Sequence, residues 1–242
     1  MARFVEKFGG TSVANARRLY AAARRLAEDY RAGNEVVGVL SARAGQTDAL
    51  LAQAREIDPD CGGRELDMLL SAGEQMNIAL CAIALARLDV PAVSLCGWQA
   101  GIRTDDIYGS ARITQVDTAR IEQALSEGKI VLVAGFQGLS PQGDITTLGR
   151  GGSDTTAVAL AAWLKADKCR IYTDVDGVYD RDPRRFPDAV KYDRLSYNQM
   201  LTLSRGGARV LHDRCVELAK QTGVCIEVCS SFHTVPGTLV CT

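Results

Sequence analysis

Two hydrophobic patterns alternate along the chain, one typical of buried strands and one typical of helices. Short, almost wholly apolar runs predict strands that are covered on both faces, and longer segments with apolar residues three and four positions apart predict helices. The predicted strands are 4–8, 36–40, 92–95, 130–134, 169–173, 224–229 and 238–241. The predicted helices are 13–31, 47–57, 64–88, 117–127 and 154–165, with one or two more inside 196–223.

This alternation predicts an α/β sandwich, in which a parallel sheet is covered by helices on both faces. A chain of 242 residues has the length of one large domain or of two lobes. With 28 basic and 29 acidic residues, the net charge of -1 gives no electrostatic reason to bind nucleic acid or an anionic membrane. The longest apolar-rich run, 157–164, is too short to cross a bilayer, and the N-terminus lacks a hydrophobic signal region. We therefore expect a cytoplasmic protein.

The cysteines and histidines limit the chemistry that is expected. Eight cysteines are scattered along the chain without a CxxC spacing, so we do not expect a disulfide framework. Cys225 and Cys229 should lie on one face of a strand as small buried side chains. The two histidines, His212 and His233, lack the spacing of a metal site. We therefore expect chemistry that proceeds without imidazole.

Three unusual turns lie at the ends of predicted strands or open predicted helices. They are Lys7 to Ser12 (KFGGTS), Leu148 to Asp154 (LGRGGSD) and Thr173 to Tyr179 (TDVDGVY). Glycine-rich turns at helix N-termini expose amide groups to anions, and ligands of parallel sheets bind at the carboxyl ends of strands. Neither glycine turn has Walker or Rossmann spacing, and the third turn lacks the downstream glutamate of a calcium loop. Together they predict a phosphate donor that faces a second anionic substrate.

Four segments, in this order, resemble the signature sequences of aspartokinases, which belong to the amino acid kinase fold. They are KFGGTS at 7–12, SAGE at 71–74, GRGGSD at 149–154 and TDVDG at 173–177, and 64–75, 97–102, 131–138 and 230–239 are also similar. The resemblance implies one catalytic domain over residues 1–242, built as a three-layer α/β/α sandwich with a mainly parallel central sheet. It also implies an amino-acid-binding lobe in the N-terminal part and a nucleotide-binding lobe from about residue 149.

The activity implied by the resemblance is transfer of the γ-phosphoryl group of ATP, with Mg²⁺, to the side-chain carboxylate of L-aspartate. The product is 4-phospho-L-aspartate, on the route to lysine, threonine and methionine. An aspartate carboxylate is already ionised at neutral pH, so the reaction needs no general base, in agreement with the scarcity of histidine. The protein then has to position the reactants and neutralise their charge.

The resemblance also implies roles for individual residues. Lys7 would lie beside the transferred group, and Asp154 would organise the transfer through Lys7 or through magnesium, which the nucleotide would carry. For aspartate, Glu74 would bind the ammonium group and Arg150 the α-carboxylate, in a pocket also lined by Ser41, Thr47 and Ser153. The residues implied for ATP are Lys7, Gly9, Gly10, Thr11, Thr173, Asp174, Tyr179, Arg184 and Arg209.

Two departures from the family pattern matter. Arg209 stands where aspartokinases usually have lysine, so we expect a difference in nucleotide affinity. Relatives usually continue into ACT domains that bind lysine or threonine, and residues 1–242 contain none. Regulation is therefore expected to be absent, to reside on a separate ACT-domain subunit, or to belong to a longer chain. A homodimer is expected because family members commonly pair through the catalytic domain.

Two other functions stay open at this point. The chain could phosphorylate another amino acid or an aspartate analogue in a specialised pathway. It could also be a non-catalytic sensor of amino acids or nucleotides on the same fold.

Overall fold

The computed structural model describes residues 1–206 and 210–242 of the chain. Its strands, in chain order, are β1 (Arg3–Phe8), β2 (Glu35–Leu40), β3 (Ala92–Leu95), β4 (Ile102–Thr104), β5 (Ile113–Val116), β6 (Ile130–Ala134), β7 (Gln137–Leu139), β8 (Ile145–Thr147), β9 (Lys168–Thr173), β10 (Arg194–Ser196), β11 (Ile226–Ser230) and β12 (Thr238–Cys241). Its helices are α1 (Ala16–Arg31), α2 (Gln46–Ile57), α3 (Gly63–Ala86), α4 (Ala119–Ser126), α5 (Gly152–Trp163), α6 (Tyr197–Arg205) and α7 (Asp213–Thr222).

An eight-stranded sheet forms the middle layer, in the order β10-β12-β11-β9-β1-β2-β6-β3. From β11 to β3 every neighbouring pair is parallel, and β12 is antiparallel to β11 and parallel to β10. Helices α1 and α3 pack on one face, and α4, α5, α6 and α7 cover the other. The predicted three-layer sandwich with a mainly parallel sheet is therefore confirmed.

Strand β1 lies near the middle of this sheet and separates two hydrophobic cores. Val5 belongs to the core under α5 and α7, whereas Phe8 belongs to the core under α1 and α3. Side chains along a strand alternate between faces, so Lys7 points to the side of Val5 and Glu6 to the side of Phe8. Because both faces are covered, these two charged residues must each find partners inside the protein.

A second, four-stranded sheet, in the order β5-β4-β7-β8, was not predicted. Its strands are three or four residues long, and exposed Arg103, Thr114 and Gln115 interrupt their apolar pattern. A periodicity of two cannot be recognised in so few residues. Strand β8 packs against α3, so this sheet extends the molecule beside the predicted core.

The first helix begins later than predicted. A 3-10 turn occupies Gly10–Val13, and the side chain of Asn15 then accepts a hydrogen bond from the Arg18 amide as the N-cap of α1. The apolar stripe predicted for this helix is buried at Leu19, Ala23 and Leu26.

The cysteine expectation is correct for Cys229 and wrong for Cys225. Cys229 is buried, but Cys225 is exposed and forms a disulfide with Cys241. Cys225 directly precedes β11 and Cys241 ends β12, so the two partners lie next to the antiparallel pair Ile226–Val240. Sequence spacing could not indicate this bond, because it depends on how the two strands pair.

Among the described helices, α3 alone is long and apolar enough, by length and composition, to cross a membrane. It also buries four polar side chains, Asp67, Ser71, Glu74 and Asn77, and it packs against α1 and the main sheet. These properties are typical of an interior helix of a globular domain.

A buried charge network lies behind β1. Glu6, fully buried, accepts a hydrogen bond of 2.8 Å from Arg170 on β9, and Arg170 also contacts Asp29 on α1 at 2.7 Å and Glu227 on β11 at 3.3 Å. Burial raises the pKa of the Glu6 carboxyl to about 8, with Asp29 adding to the rise and Arg170 opposing it. The Arg170 guanidinium therefore contacts three acidic side chains and links α1 with β1, β9 and β11.

Replacing that guanidinium should be costly. Arg170→Met removes the shared partner of three acidic side chains in a partly buried network, so we expect the free energy of unfolding at pH 7 to fall by about 3 kcal/mol. Urea denaturation measures the loss. Arg205→Met is the matched control, since Arg205 pairs with Glu217 at an exposed position, and it should cost less than about 1 kcal/mol. Equal losses in the two variants would contradict the structural role of Arg170.

Candidate active site

A lysine–aspartate ion pair lies at the carboxyl end of β1. Nζ of Lys7 is 2.5 Å from Oδ1 of Asp154, and each side chain is only 11% exposed. Asp154 is in the first turn of α5, where a negative charge is favoured by the helix dipole. The pair therefore joins β1 to the start of α5. It also fixes the Lys7 ammonium group at the edge where parallel sheets bind ligands.

The turn after β1 has no room for side chains. A Cβ on Gly9 would lie 3.3 Å from Nζ of Lys7, and a Cβ on Gly10 would lie 2.9 Å from the carbonyl oxygen of Ala42. The Gly10 carbonyl accepts a hydrogen bond from the Ala44 amide, and the Gly9 amide donates to Tyr172 on β9. The Lys7 ammonium therefore rests against a bare backbone turn that contacts the loop after β2.

Glu74 lies on the other side of that loop. Its Oε1 accepts a hydrogen bond of 2.9 Å from the Ala42 amide, and its Oε2 is buried with no partner among the described residues. One turn later on α3, Asn77 donates to the Ser41 carbonyl at 2.7 Å. Burial raises the pKa of the Glu74 carboxyl to about 7, while the Ala42 amide opposes the rise. A buried carboxylate oxygen without a donor is suited to bind a ligand ammonium group.

Arg150 lies on the turn between β8 and α5. Gly149 and Gly151, on either side of it, have φ angles of +73° and +69°, which favour glycine. The Arg150 side chain is exposed, and within residues 1–206 and 210–242 it forms no ion pair. A guanidinium in this state can take a carboxylate ligand as a two-pronged donor.

The three hydroxyl residues predicted for the amino-acid pocket lie close to these groups along the chain. Ser41 directly follows β2, and Thr47 is in the first turn of α2. Ser153 precedes Asp154 and packs against Gly135, where a Cβ would lie 2.7 Å from its Oγ. The Gly135 amide donates to Leu40 at the end of β2, so the ends of β2 and β6 and the start of α5 meet here.

A cavity of about 740 Å³ opens beyond the end of β9. Four residues predicted for ATP line it: Thr173, Asp174, Tyr179 and Arg184. The Tyr179 hydroxyl donates to Asp176 at 2.7 Å, and Arg184 lies 3.5 Å from Asp174 and 3.1 Å from Asp182. A cavity of this size is suited to a ligand of nucleotide dimensions.

The other residues predicted for ATP fall into two groups. The first group lies at the carboxyl end of the neighbouring strand β1 and does not line the cavity; it comprises Lys7, Gly9, Gly10 and Thr11. The Gly9 amide donates to the carbonyl of Tyr172, the residue before Thr173. Arg209 lies outside the described residues. The roles predicted from the resemblance stay predictions, as does the arrival of Mg²⁺ with the nucleotide.

Several cavity residues were missed from the sequence. The apolar ones, Phe186, Leu203 and Val210, carry no chemical signal, and neither Arg181 nor Arg185 belongs to a signature segment. Among the residues of this wall, Arg184 was predicted from the resemblance. Asp67, a buried acid seven residues before Glu74, was also missed.

The raised pKa of Glu74 leads to a pH-dependent stability. A carboxyl with a folded-state pKa above its unfolded value stabilises the protein fully below about pH 4.5, and this contribution is lost as pH rises through about 7. Glu74→Gln has no titrating group at this position. Between pH 4.5 and pH 8, its free energy of unfolding should therefore rise relative to that of the wild type by up to about 3 kcal/mol. Denaturation at several pH values measures the gain, and Glu65→Gln, an exposed change on α3, should show none.

The chain was compared with protein families, curated proteins and solved structures. A model of the amino acid kinase family matches residues 2–230. An aspartokinase of Geobacillus stearothermophilus is 54% identical over 240 residues, which make up 99% of this chain and 59% of that protein. The chain therefore spans less than two thirds of that relative.

Solved structures give the same result. The aspartate kinase from Synechocystis superposes with a TM-score of 0.87 at 46% identity, covering 99% of this chain and 40% of that one. Aspartokinase III of E. coli, in complex with aspartate and ADP, superposes with a TM-score of 0.85 at 30% identity, covering 99% and 64%. The fold expected from the four signature segments is thus confirmed, and the chain belongs to the amino acid kinase family.

Proposed function

We propose that this chain is an aspartate kinase, transferring the γ-phosphoryl group of ATP to the side-chain carboxylate of L-aspartate. The observation that carries the proposal is the buried Lys7–Asp154 pair. The loop after β2 connects the turn beside this pair to Glu74, and the neighbouring strand β9 leads to the 740 Å³ cavity. Similarity to curated aspartokinases over 99% of the chain supports the same assignment.

In the proposed reaction, the aspartate carboxylate attacks the γ-phosphorus and ADP leaves. The nucleophile is ionised at neutral pH, so no side chain has to remove a proton. Lys7 would neutralise the charge of the transferred group, since its ammonium lies against the Gly9–Gly10 turn. Asp154 would hold that ammonium in place through the 2.5 Å contact.

The amino-acid subsite we propose uses opposite charges at its two ends. Glu74 would bind the α-ammonium group through its unpartnered oxygen, and Arg150 would bind the α-carboxylate. Ser41, Thr47 and Ser153 would complete the pocket with hydroxyl groups. The solved structure of E. coli aspartokinase III in complex with aspartate and ADP is consistent with such a pair of ligands.

The nucleotide would occupy the cavity beyond β9, with Mg²⁺ bound to its phosphates. Thr173, Asp174 and Tyr179 would contact the nucleoside side, and Arg184 the phosphates. Lys7, Gly9, Gly10 and Thr11 would face the transferred end of the nucleotide. The role of Arg209 is proposed from the sequence alone.

The wider setting is proposed in the same way. The amino-acid-binding lobe would be the part before about residue 149, and the nucleotide-binding lobe the part after it. A cytoplasmic enzyme that opens the route to lysine, threonine and methionine would meet its substrates as free metabolites, without nucleic acid or a membrane. Feedback control through ACT domains would act from outside residues 1–242, within a longer chain or from a separate subunit.

We also propose that two copies of the chain pair. The outer face of α3 exposes Met68, Met76 and Ile83 to 50%, 53% and 67%, and α2 beside it has no buried residue. An apolar helix face of this kind is typical of an interaction surface.

The first experiment measures the reaction itself. With ATP, Mg²⁺ and hydroxylamine as a trap for acyl phosphate, we expect L-aspartate to give aspartyl hydroxamate and ADP. Lys7→Ala should lower kcat by about 100-fold or more, because the charge of the transferred group is no longer neutralised. Lys129→Ala is the control, since Lys129 pairs with Glu127 on the surface.

Each other outcome of that assay has a meaning. Turnover of a different amino acid alone would replace aspartate as the acceptor. ATP binding without any turnover would contradict the kinase and favour a sensor of the same fold.

The pH profile tests the role of Glu74. A protonated Glu74 cannot hold an ammonium group, and its pKa is about 7, so kcat/KM for L-aspartate should fall roughly tenfold per unit well below pH 7. Glu74→Gln should flatten this profile and lower its plateau. An unchanged profile in the variant would show that another group controls binding.

A further inference from the structure

A fully buried carboxylate holds the main chain on either side of the Arg150 turn. Asp67 on α3 is 1% exposed. It accepts the Gly109 amide at 3.0 and 2.9 Å, the Thr147 amide at 2.6 Å and the Thr147 hydroxyl at 2.8 Å. Within the described part of the chain, no lysine or arginine forms an ion pair with it. Its donors therefore lie on two segments, the loop at Gly109 and the end of β8 at Thr147, and both segments adjoin the Arg150 turn.

Arg214 on α7 donates hydrogen bonds to the same two segments, which are residues 109–111 and 147–148. From the first turn of α7, it donates to the Leu148 carbonyl at 2.7 Å and to the Ala111 carbonyl at 2.9 Å. The two segments are also hydrogen-bonded to each other, since the Ala111 amide donates to the Thr147 carbonyl at 2.9 Å. Residues 109–111 and 147–148 thus form one unit between a helix of each proposed lobe.

The Arg150 turn is packed directly on this unit. A Cβ on Gly149 would lie 3.0 Å from the Gly109 carbonyl oxygen, and a Cβ on Gly151 would lie 2.3 Å from Cβ of His212. The turn thus lies too close to Gly109 on one side and to His212 on the other for a side chain to fit, so we expect a shift of Gly109 or Leu148 to move it. Arg150 is at the tip of the turn, where its side chain is exposed.

The surroundings of position 67 require an acceptor, because an apolar side chain there would leave the Gly109 and Thr147 amides and the Thr147 hydroxyl without their partner. What the carboxylate adds is direction, because its oxygens fix three donors from two separate segments. We propose that Asp67 and Arg214 are positioning residues that hold the Gly149–Gly151 turn and so orient Arg150 toward the amino-acid substrate. This inference rests on the proposed function for the role of Arg150 and on the geometry alone for the clamp.

Asp67→Asn tests the proposal, since it keeps the shape of the side chain. It replaces one accepting oxygen with an amide nitrogen, which cannot accept a hydrogen bond. We expect KM for L-aspartate to rise about tenfold, since a misplacement of about 1 Å has effects of this order, with KM for ATP changed less than twofold. Arg214→Lys, which cannot reach both carbonyls, should act in the same direction. Asp167→Asn is the control: its carboxylate also accepts a backbone amide, that of Arg3 at 2.7 Å, but at the start of β1 and away from the turn, so it should leave KM unchanged.

A double-mutant cycle separates positioning from general weakening of the fold. If Asp67 acts through Arg150, Asp67→Asn should change KM for L-aspartate less than twofold in an Arg150→Ala background. A full tenfold effect in that background would overturn the proposal. So would equal increases of KM for ATP and for L-aspartate in the single variant.

Hydrogen exchange tests the clamp without any reaction. In the free protein, the backbone amides of residues 149–151 should exchange faster in Asp67→Asn than in wild type, and at the wild-type rate in Asp167→Asn. Unchanged exchange in Asp67→Asn would overturn the clamp even if the enzyme is an aspartate kinase. If no amino acid is phosphorylated but exchange accelerates, the proposed function fails and the clamp stands.

Discussion

The buried ion pair between Lys7 and Asp154 is the contact on which the rest of the candidate site depends. Neither charge can lie so deep in the protein alone, because the desolvation of an unpaired ion costs several kcal/mol. The pair therefore requires β1 and the start of α5 to meet at one place. That requirement explains the neighbouring features: bare glycines after β1, a left-handed glycine before α5, and a Ser153 that packs on Gly135.

The two charged residues of β1 show how one strand serves two purposes. Lys7 faces the candidate site, and Glu6, its neighbour, faces the opposite core, where Arg170 ties it to β9, β11 and α1. The strand is thus anchored from behind at the residue next to the one that must be placed accurately. Rigid support of this kind is what a catalytic lysine requires, since small displacements have large effects on rate.

The main sheet could be predicted from the sequence because its strands are buried on both faces. The strands at 130–134 and 238–241 were predicted with their observed bounds, whereas the short strands from β4 to β8 outside the main sheet gave too little periodicity. The candidate site residues were predicted from the resemblance to aspartokinases, and their roles stay predictions. The pairing of Lys7 with Asp154, the network of Glu6 and the bonds of Asp67 join residues far apart in the chain, and no local pattern encodes such contacts.

The bonds to Thr147, Gly109, Leu148 and Ala111 involve mainly backbone atoms, and this has an evolutionary consequence. A contact with a main-chain group survives when the side chain at that position changes. Side chains around the candidate site can therefore change at these positions while the backbone contacts persist. A fold organised in this way can vary the lining of a site by small steps, each of which leaves the Arg150 turn in place.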